Sequence, residues 1–493
     1  MISDFFWKKL NYITGLMAIM VLFGLIAFSA NLEIKDLDLW LHVKTGEYIV
    51  THQEVPKHDV LSCSLAGKPW VNHEWLFQSF LYVLSHHFGF ESLITMQVVV
   101  VCMIFLILML IAYRSNRQAL SVFCLLLVLL VFQSRFTIRP DIFSLLFFSI
   151  DMFILSLHIN KRWAVWALAL VQLLWVNMHG FFIVGPVLVL LGLIAETMRR
   201  FVPMPYEWNT TGKLTDDEFK RLGVIFGVLL VTCLINPYFI SGAVYPLTVL
   251  FQPSSESKIF FEHIYELQRP FKHGWVATNI HYKILLLISG LSFLFNRRKI
   301  DISVFFLWLI FLLLSLAAIR NLVFFSCAAY LVILINSIDI SSEDVLPLRF
   351  NALRFKEVTE ILIKAGLIIW MLNYMIGLSN RGYFDYDTFS RKSEYGGISK
   401  RVYATHAVDF LVAQQIKGNF FNDFNSGAYL IGRASPNIKV FIDGRTEVYG
   451  SEFFKTYLKV WRNGDKKIFA DFAAKYHLTG AFLNGANQQI PGD

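Results

Sequence analysis

Long apolar stretches recur along the whole sequence. A membrane-spanning helix needs about 20 mostly apolar residues, because a rise of about 1.5 Å per residue has to cover about 30 Å of hydrocarbon. Eleven stretches approach that length and carry few charges: residues 12–30, 94–113, 119–134, 141–159, 163–178, 181–198, 222–240, 282–296, 302–318, 321–338 and 358–378. The pattern predicts a mainly α-helical, polytopic membrane protein with about 11 transmembrane helices.

Two segments depart from this pattern. Residues 31–93 are too long for a simple connector and end in KPWVNHEWLFQSFLYVLSHHFGF, whose apolar spacing predicts an amphipathic helix in the membrane interface. The tail, residues 379–493, combines helical periods with strand-like runs: HAVDFLVAQQI, IKVFIDG, SEFFKTYLKVW, KIFADFAAKYH and GAFL. It predicts a small α/β domain after a transmembrane domain of residues 1–378. The tail stops soon after Asn484, as expected of a truncated or a minimal domain.

Composition supports the membrane assignment and narrows the partners. The chain of 493 residues is 56% hydrophobic and 16% charged, with a mean hydropathy of +0.54, outside the range of soluble globular proteins. Its net charge of +8 comes from short basic clusters between apolar stretches, and the sequence has no basic stripe or RNA-binding motif. We therefore expect a lipid bilayer around the chain and no nucleic acid partner.

The basic clusters predict the orientation of the chain. Lys8 and Lys9 precede the first apolar stretch, which we interpret as a retained helix. If all the stretches cross the membrane, the later clusters fall on the same side as Lys8: Arg114/Arg117, Lys161/Arg162, Arg199/Arg200, Arg297/Arg298/Lys299 and Arg349/Arg354/Lys356. The positive-inside rule makes that side cytoplasmic. The N-terminus is then cytoplasmic, and the first loop and the tail are extracytoplasmic.

Ionisable residues converge on the predicted outer face. The opening of the first loop, KDLDLWLHVKTG, contains Asp36 and Asp38 directly after the first apolar stretch. Ionisable groups at a membrane are costly and are functional candidates by default. The other candidates on this face are His42, His73, Glu74, Arg135, Arg139, Asp141, His179, Arg269 and Arg320. Glu262, Glu266 and Arg269 also lie on this face, where all three are more typical of a solvated helical face.

These residues resemble the GT-C superfamily of integral-membrane glycosyltransferases, in particular its bacterial RgtA/B/C/D-like and dolichyl-phosphate-mannose-protein mannosyltransferase-like group. Members of this superfamily carry an acidic pair in the first outer loop, and the DLD at residues 36–38 matches that motif in letters and position. The segments NHEWL, RFTIRP, NPY, NDFNSGAYLI and FIDGRTEVYG are also similar to the group. The resemblance extends over essentially the whole chain.

The resemblance implies an enzyme of a bacterial inner membrane. It would transfer a hexosyl or pentosyl group from a polyprenyl-phosphate donor to a lipid, glycan or protein acceptor of the envelope, with inversion at the anomeric carbon. Asp36 or Asp38 would remove a proton from the acceptor hydroxyl, and His73 and the arginines would stabilise the departing phosphate. The two aspartates could also bind a divalent cation such as Mg²⁺ or Mn²⁺, because metal dependence varies within the superfamily.

Other interpretations stay open from sequence alone. Asp36 and Asp38 are also compatible with ordinary solvated loop residues, and Arg135 and Arg139 with interfacial anchors. His179 precedes Gly180 at a turn between two apolar stretches, where a structural role is equally reasonable. A transporter or flippase for a lipid-linked or anionic solute is the main functional alternative, although internal repeats are not evident. A non-catalytic scaffold of envelope assembly is another, and it predicts tolerance to substitution of the aspartates.

Overall fold

The computed structural model shows a helical bundle whose two extramembrane segments meet at one end. It describes residues 4–250, 254–272, 274–275, 278–338, 352–381, 383–385, 390–393, 395–400 and 402–484. The helices up to residue 381 are α1 Asp4–Ala30, α2 Leu39–His52, α3 Trp75–Phe88, α4 Glu91–Ala112, α5 Gln118–Phe132, α6 Asp141–Leu157, α7 Trp163–Met178, α8 Val184–Phe201, α9 Asp216–Thr232, α10 Ile240–Leu250, α11 Ser254–His263, α12 Ile280–Phe295, α13 Ile302–Ala317, α14 Leu322–Ser337 and α15 Ala352–Arg381.

The described chain contains six helices that are long and apolar enough to cross a membrane: Phe5–Ala30, Glu91–Ala112, Ser115–Phe132, Gly180–Phe201, Ile319–Ser337 and Phe355–Ser379. Three other predicted stretches form the shorter apolar helices Trp163–Met178, Ile280–Phe295 and Ile302–Ala317. The helix of the stretch 141–159 is α6, with 17 residues. The structure therefore supports a multi-pass architecture: six described helices are long and apolar enough to span a membrane, whereas the sequence predicts eleven spans.

The predicted stretch 222–240 is displaced along the chain. Its helix, α9, begins at Asp216, because the Thr215 hydroxyl accepts a hydrogen bond from the Glu218 amide and the Glu218 carboxylate accepts one from the Thr215 amide. The helix ends at Thr232, and Asn236 then holds a turn by donating to the carbonyl oxygens of Cys233 and Phe239. The sequence prediction placed the start of this helix too late, because the first turn is charged and hydropathy alone does not indicate a helix there.

The first loop folds into two helices, of which the sequence predicted only α3. Helix α2 packs along α3, with Gly46 directly against the carbonyl oxygen of Gln78. A Cβ atom at Gly46 would overlap that oxygen, so glycine is what permits the close approach of the two helices.

The tail contains a three-stranded parallel sheet. Strand β3, Gly418–Asn422, pairs with β4, Ile438–Val440, on one side and with β5, Leu478–Phe482, on the other. A separate antiparallel pair, β1 Tyr383–Asp385 and β2 Ser390–Ser393, follows α15. The remaining helices are α16 Thr405–Ala413, α17 Gly427–Ala434, α18 Thr446–Tyr449, α19 Ser451–Asn463 and α20 Lys466–Tyr476. The mixed helix and strand composition predicted for the tail is present, whereas β3 and α17 were not predicted.

The tail and the first loop form a continuous structure. Ser62 bridges to Val440, and Ile34 bridges to Ile398. The ring of Trp40 packs edge-on against Tyr403 and Tyr429 of the tail. These contacts place the tail directly over the opening of the first loop.

A buried ionic network joins the same two segments. Arg445 of the tail contacts Asp59 of the first loop at 2.8 Å and Asp443 at 2.7 Å, and it lies over the ring of Trp70. The side chains of Arg445, Asp59 and Asp443 are at most 4% exposed. Because removal of one partner would leave uncompensated buried charge, this network indicates a fixed arrangement of loop and tail.

The acidic and the basic loops lie at opposite ends of the bundle. Arg117 directly precedes α5, and Arg135 ends the short turn that follows α5; Arg320 lies in the short turn before α14, which ends at Ser337. At one end, Arg117 donates to the Ser337 carbonyl oxygen at 2.9 Å. Arg135 and Arg320 lie at the other end, near the first loop. Of the predicted basic clusters, Arg349 lies outside the described residues.

Candidate active site

Six segments deliver ionisable side chains to the end of the bundle that the first loop and the tail cover. Asp36 and Asp38 follow α1, and Arg135 and Arg139 lie between α5 and α6. The other contributors are His73 and Glu74 before α3, His179 between α7 and α8, Glu266 in a short helical turn after α11, and Arg320 before α14. All of them lie at helix ends or in short turns.

The side chain of Asp36 fixes the backbone between the two aspartates. The Oδ1 atom of Asp36 accepts a hydrogen bond from the Asp38 amide at 2.8 Å, and α2 begins at the next residue, Leu39. Tyr403 of the tail donates its hydroxyl to the Asp36 carbonyl oxygen. Asp36 is therefore fixed from both the bundle and the tail.

Two guanidinium groups connect four carboxylates. Arg139 pairs with Asp36 through Nε, with Asp38 through Nη2 at 3.2 Å and with Glu266 through Nη1 at 2.9 Å. Arg135 pairs with Asp141 and, at 2.6 Å, with the same Oε2 atom of Glu266. Burial alone would raise the pKa of Glu266, but Arg139 and Arg135 lower it to about 2. Glu266 is consequently a permanent anion within this network.

The two aspartates have different environments. The Asp36 side chain is 2% exposed and is held by Arg139, whereas the Asp38 side chain is 30% exposed. The surrounding protein displaces enough water to raise the pKa of Asp38 to about 7, and Asp36 and Glu266 act in the same direction against the opposing charge of Arg139. Asp38 is thus the accessible member of the pair, and it changes its charge near neutral pH.

Glu74 lies between two histidines. Its carboxylate oxygens are 3.5 Å from His73 Nε2 and 3.8 Å from His42 Nδ1. Burial would lower the pKa of His73, but the Glu74 carboxylate raises it above the usual value; for His42, burial dominates and the pKa is lowered. The His73 ring stacks on Tyr245 with 4.4 Å between the centroids. His73 is therefore the histidine of this pair that is favoured to carry a proton.

His179 and Arg320 are neighbours of a common aromatic ring. His179 stacks on Phe181 and shares a 2.7 Å hydrogen bond with Ser144, and burial lowers the pKa of His179 to about 4. The Arg320 guanidinium lies 5.8 Å from the centroid of the Phe181 ring. Among the described residues Arg320 forms no ion pair, and its buried Nε atom has no hydrogen-bond partner. Arg320 therefore presents positive charge that is available to a ligand.

The tail provides one wall of the site. Gly444 packs directly against Asp38, and a Cβ atom at Gly444 would overlap the Oδ1 atom of that carboxylate. The neighbouring residues Asp443 and Arg445 belong to the buried network that ties the tail to the first loop. Their burial and their mutual pairing indicate a structural role for both residues.

The carboxylates do not form a ready metal site. Within the part of the chain that the structure describes, no group of three or more His, Cys, Asp or Glu side chains is placed to hold a metal ion. Both oxygens of Asp36 are engaged, one by the Asp38 amide and one by Arg139. Asp36 therefore has no free oxygen for a divalent cation, and the acidic pair as arranged does not fit one through both carboxylates.

The structure brings together most of the predicted site residues. Those gathered at this end of the bundle are Asp36, Asp38, His42, His73, Glu74, Arg135, Arg139, Asp141, His179 and Arg320. Arg269 is not among them: it is exposed and forms no ion pair with any described residue. Glu266, three residues before Arg269, instead lies at the centre of the ionic network, where it pairs with both Arg135 and Arg139. Its position in ELQRP, four residues before Pro270, was the available signal in the sequence.

The fold of this chain is similar to that of a solved archaeal oligosaccharyltransferase. The oligosaccharyltransferase AglB of Archaeoglobus fulgidus, an archaeal GT-C fold glycosyltransferase, matches 95% of this chain and 69% of its own, with a TM-score of 0.62 and 10% sequence identity. The chain has the GT-C fold. The resemblance inferred from the sequence is thereby confirmed for the fold. That AglB structure is a complex with an inhibitory peptide and a dolichol-phosphate.

Two other structures of the Archaeoglobus fulgidus oligosaccharyltransferase show the same GT-C likeness. One, tethered to an acceptor peptide with an NVT sequon, matches with a TM-score of 0.58 and 11% identity, and one in complex with Zn and sulfate matches with 0.54 and 12%. Each covers 94% of this chain and 68% of the oligosaccharyltransferase. No protein-family model matches the sequence, and no curated protein matches it significantly.

Proposed function

We propose that the protein is a membrane glycosyltransferase that moves a sugar from a polyprenyl-phosphate donor to an acceptor hydroxyl, with Asp38 as the general base. The observation that carries the proposal is the contrast within the acidic pair. Asp38 is accessible and has a pKa of about 7, whereas Asp36 is buried and bound to Arg139. A general base is most effective when its pKa lies close to the working pH.

The proposed reaction is an in-line displacement. Asp38 accepts the proton of the acceptor hydroxyl while a lone pair of that oxygen forms a bond to the anomeric carbon. The bond from the anomeric carbon to the phosphate oxygen breaks, and the lipid phosphate leaves with its electron pair. Attack from the face opposite the phosphate inverts the anomeric configuration. Asp36 does not receive the proton in this scheme, and it positions Arg139 beside Asp38.

The departing phosphate requires positive charge that is not already neutralised. Arg135 and Arg139 are each paired with two or more carboxylates, so they are poor candidates for a second anion. Arg320 has no ion-pair partner among the described residues. We assign the phosphate to Arg320, assisted by His73, because preplaced positive charge stabilises an anion that develops in the transition state.

We also propose a membrane location for the protein and a class of acceptor. The six long apolar helices suit a multi-pass protein, and we propose a bacterial inner membrane with the site on its outer face. One AglB structure was solved with a dolichol-phosphate and an inhibitory peptide, and another with a tethered acceptor peptide; the dolichol-phosphate supports a lipid-linked donor here. The acceptor class, a lipid, a glycan or a protein of the envelope, follows from that location.

The test compares purified wild type with Asp38→Asn and Asp36→Asn, using polyprenyl-phosphate sugars as donors. We expect Asp38→Asn to lower the transfer rate by about 10²- to 10⁴-fold, the contribution of general-base catalysis. Asp36→Asn should have a smaller effect, because it leaves the base in place. Asp409→Asn, at an exposed ion pair of the tail, is the matched control. Equal transfer by all four folded proteins would overturn the catalytic assignment and favour the scaffold interpretation.

A further inference from the structure

Two guanidinium groups stand between the carboxylates of the site. Arg139 contacts Asp36, Asp38 and Glu266, and Arg135 contacts Glu266 and Asp141. Each arginine thus lies where it neutralises carboxylates from different segments of the chain. In a carboxylate-rich site, this is the position that a divalent cation would otherwise take.

The carboxylate oxygens are largely committed to these arginines. Glu266 Oε2 accepts from Arg135 at 2.6 Å and from Arg139 at 2.9 Å. Asp36 uses one oxygen for Arg139 and the other for the Asp38 amide. A hard cation would have to displace several charge-assisted hydrogen bonds, which are roughly twice as strong as neutral ones.

The local charge also disfavours a dication. Arg320 adds a third guanidinium at the same end of the bundle. An arginine remains protonated at any physiological pH, so the positive charge of the cluster is permanent. A divalent ion bound among the carboxylates would lie close to at least two fixed positive charges, and their repulsion is large where water is scarce.

We infer that Arg139 and Arg135 replace a catalytic metal in this protein, so that the acidic pair works without a divalent cation. The inference rests on the proposed function for its catalytic part. Its structural part, that the carboxylates are closed to divalent ions, holds independently of any activity. Arg139 then acts as the built-in counterion that holds Asp36 and limits the charge around Asp38.

The first experiment measures metal binding without any substrate. Purified full-length protein is titrated with Mn²⁺, and free Mn²⁺ is quantified by electron paramagnetic resonance. We expect no site tighter than roughly 1 mM, the weak end of the range for oxygen-ligand cation sites. A tighter site in wild type that disappears in Asp38→Asn and in Glu266→Gln, with both variants folded, would overturn the inference. If both variants retain a tight Mn²⁺ site, that site lies outside the acidic cluster. The expected absence of tight Mn²⁺ binding at Asp36 and Asp38 is then upheld.

The second experiment removes the counterion. In Arg139→Gln the carboxylates lose their guanidinium partner, and we expect Mn²⁺ affinity to rise by at least about tenfold over wild type. Arg433→Gln, at an exposed pair with Asp409, is the matched control and should leave Mn²⁺ binding unchanged. No gain of affinity in a folded Arg139→Gln protein would contradict the role of this guanidinium. If this variant does not fold, the wild-type titration decides the inference alone.

The third experiment connects binding to turnover. Transfer by wild type is measured after chelation with EDTA and after addition of Mg²⁺ or Mn²⁺. We expect equal rates within about twofold, because no step uses the ion. Abolition by EDTA with recovery on adding Mn²⁺ would overturn the inference. Absence of transfer under every condition would count against the proposed function instead, while the Mn²⁺ titration would still decide whether the carboxylates are closed.

Discussion

At the scale of single residues, Asp36 and Asp38 show how two identical side chains two positions apart acquire different chemistry. Asp36 points into a polar interior where Arg139 and the Asp38 amide saturate its oxygens. Asp38 lies at the boundary with the tail and retains access to solvent. Charge partners and burial, rather than residue type, therefore decide which carboxylate can exchange a proton.

The pKa of Asp38 leads to a prediction for the pH dependence of transfer. The base must be ionised, so kcat/KM should rise about tenfold per pH unit below pH 7 and level off above it. Glu266 raises the pKa of Asp38 through its negative charge, and its removal also frees Arg139 to lower that pKa further. Glu266→Gln should therefore move the acid limb to lower pH.

Glu452→Gln serves as the control in this experiment, because Glu452 is exposed and pairs only with Lys455 among the described residues. The measurement is the pH profile of kcat/KM for the three proteins. An acid limb of Glu266→Gln that coincides with wild type, or lies at higher pH, would contradict the assignment of Asp38 as the titrating base.

The charge of Arg320, unpaired among the described residues, gives a second prediction. Arg320→Gln should raise the donor KM and lower kcat/KM by roughly 10- to 100-fold, the range for a hydrogen bond to a charged group. Arg269→Gln is the matched control, because Arg269 is exposed and outside the cluster. The measurement is a donor titration at saturating acceptor. An unchanged donor KM in a folded Arg320→Gln protein would remove Arg320 from the phosphate site.

At the scale of elements, the tail turn that contains Gly444 acts on the site through its backbone. The turn is anchored on both sides, since Asp443 and Arg445 belong to the buried network with Asp59. Only hydrogen at the α-carbon leaves space for the Asp38 carboxylate. The tail thus constrains Asp38, the proposed base, without contributing a reactive side chain.

The corresponding prediction is that Gly444→Ala lowers kcat by about 10²-fold, because a displacement of about 1 Å is enough to disrupt a productive geometry. Gly366→Ala, in α15, is the control, since a Cβ atom there meets no neighbour within 4 Å. Both variants should unfold at temperatures close to that of wild type, as measured by thermal denaturation. Full activity of Gly444→Ala would show that the turn does not constrain Asp38.

At the scale of the whole molecule, the bundle separates its charges by end. Arg117 contacts Ser337 at one end, and the cluster of carboxylates and arginines lies at the opposite end beneath the tail. This polarity is the structural counterpart of the positive-inside rule. In the proposed reaction, a lipid-borne donor would approach this end from the membrane and an acceptor would approach it from the aqueous side.

The orientation is tested by labelling. A cysteine at Glu54, in the exposed turn after α2, should react with a membrane-impermeant maleimide added outside intact cells. A cysteine at Arg297, exposed at the other end, should react only after permeabilisation. The native cysteines are first replaced to remove background. Labelling with the reverse pattern would place the acidic pair in the cytoplasm and remove the proposed function.

Three features were predictable from the local sequence alone: the apolar helices, the amphipathic helix α3 and the acidic pair after the first helix. These features depend on local periodicity, which the lipid environment imposes on each segment separately. The helix α2, the strand β3 and the central place of Glu266 were decided by tertiary contacts. Arg139 reaches Asp36 across 103 positions of the chain, a pairing that depends on how helices pack and leaves no mark in local sequence.

Tertiary contacts likewise distinguish Asp38, the proposed base, from Asp36. From the sequence, Asp36 and Asp38 were equivalent candidates, because both precede α2 with the same side chain. The packed tail, Arg139 and Glu266 made them unequal by burying one carboxylate and leaving the other accessible. Local pattern fixes where a residue sits along its helix, but only the folded chain sets the charges and solvent around it, and these control its chemistry.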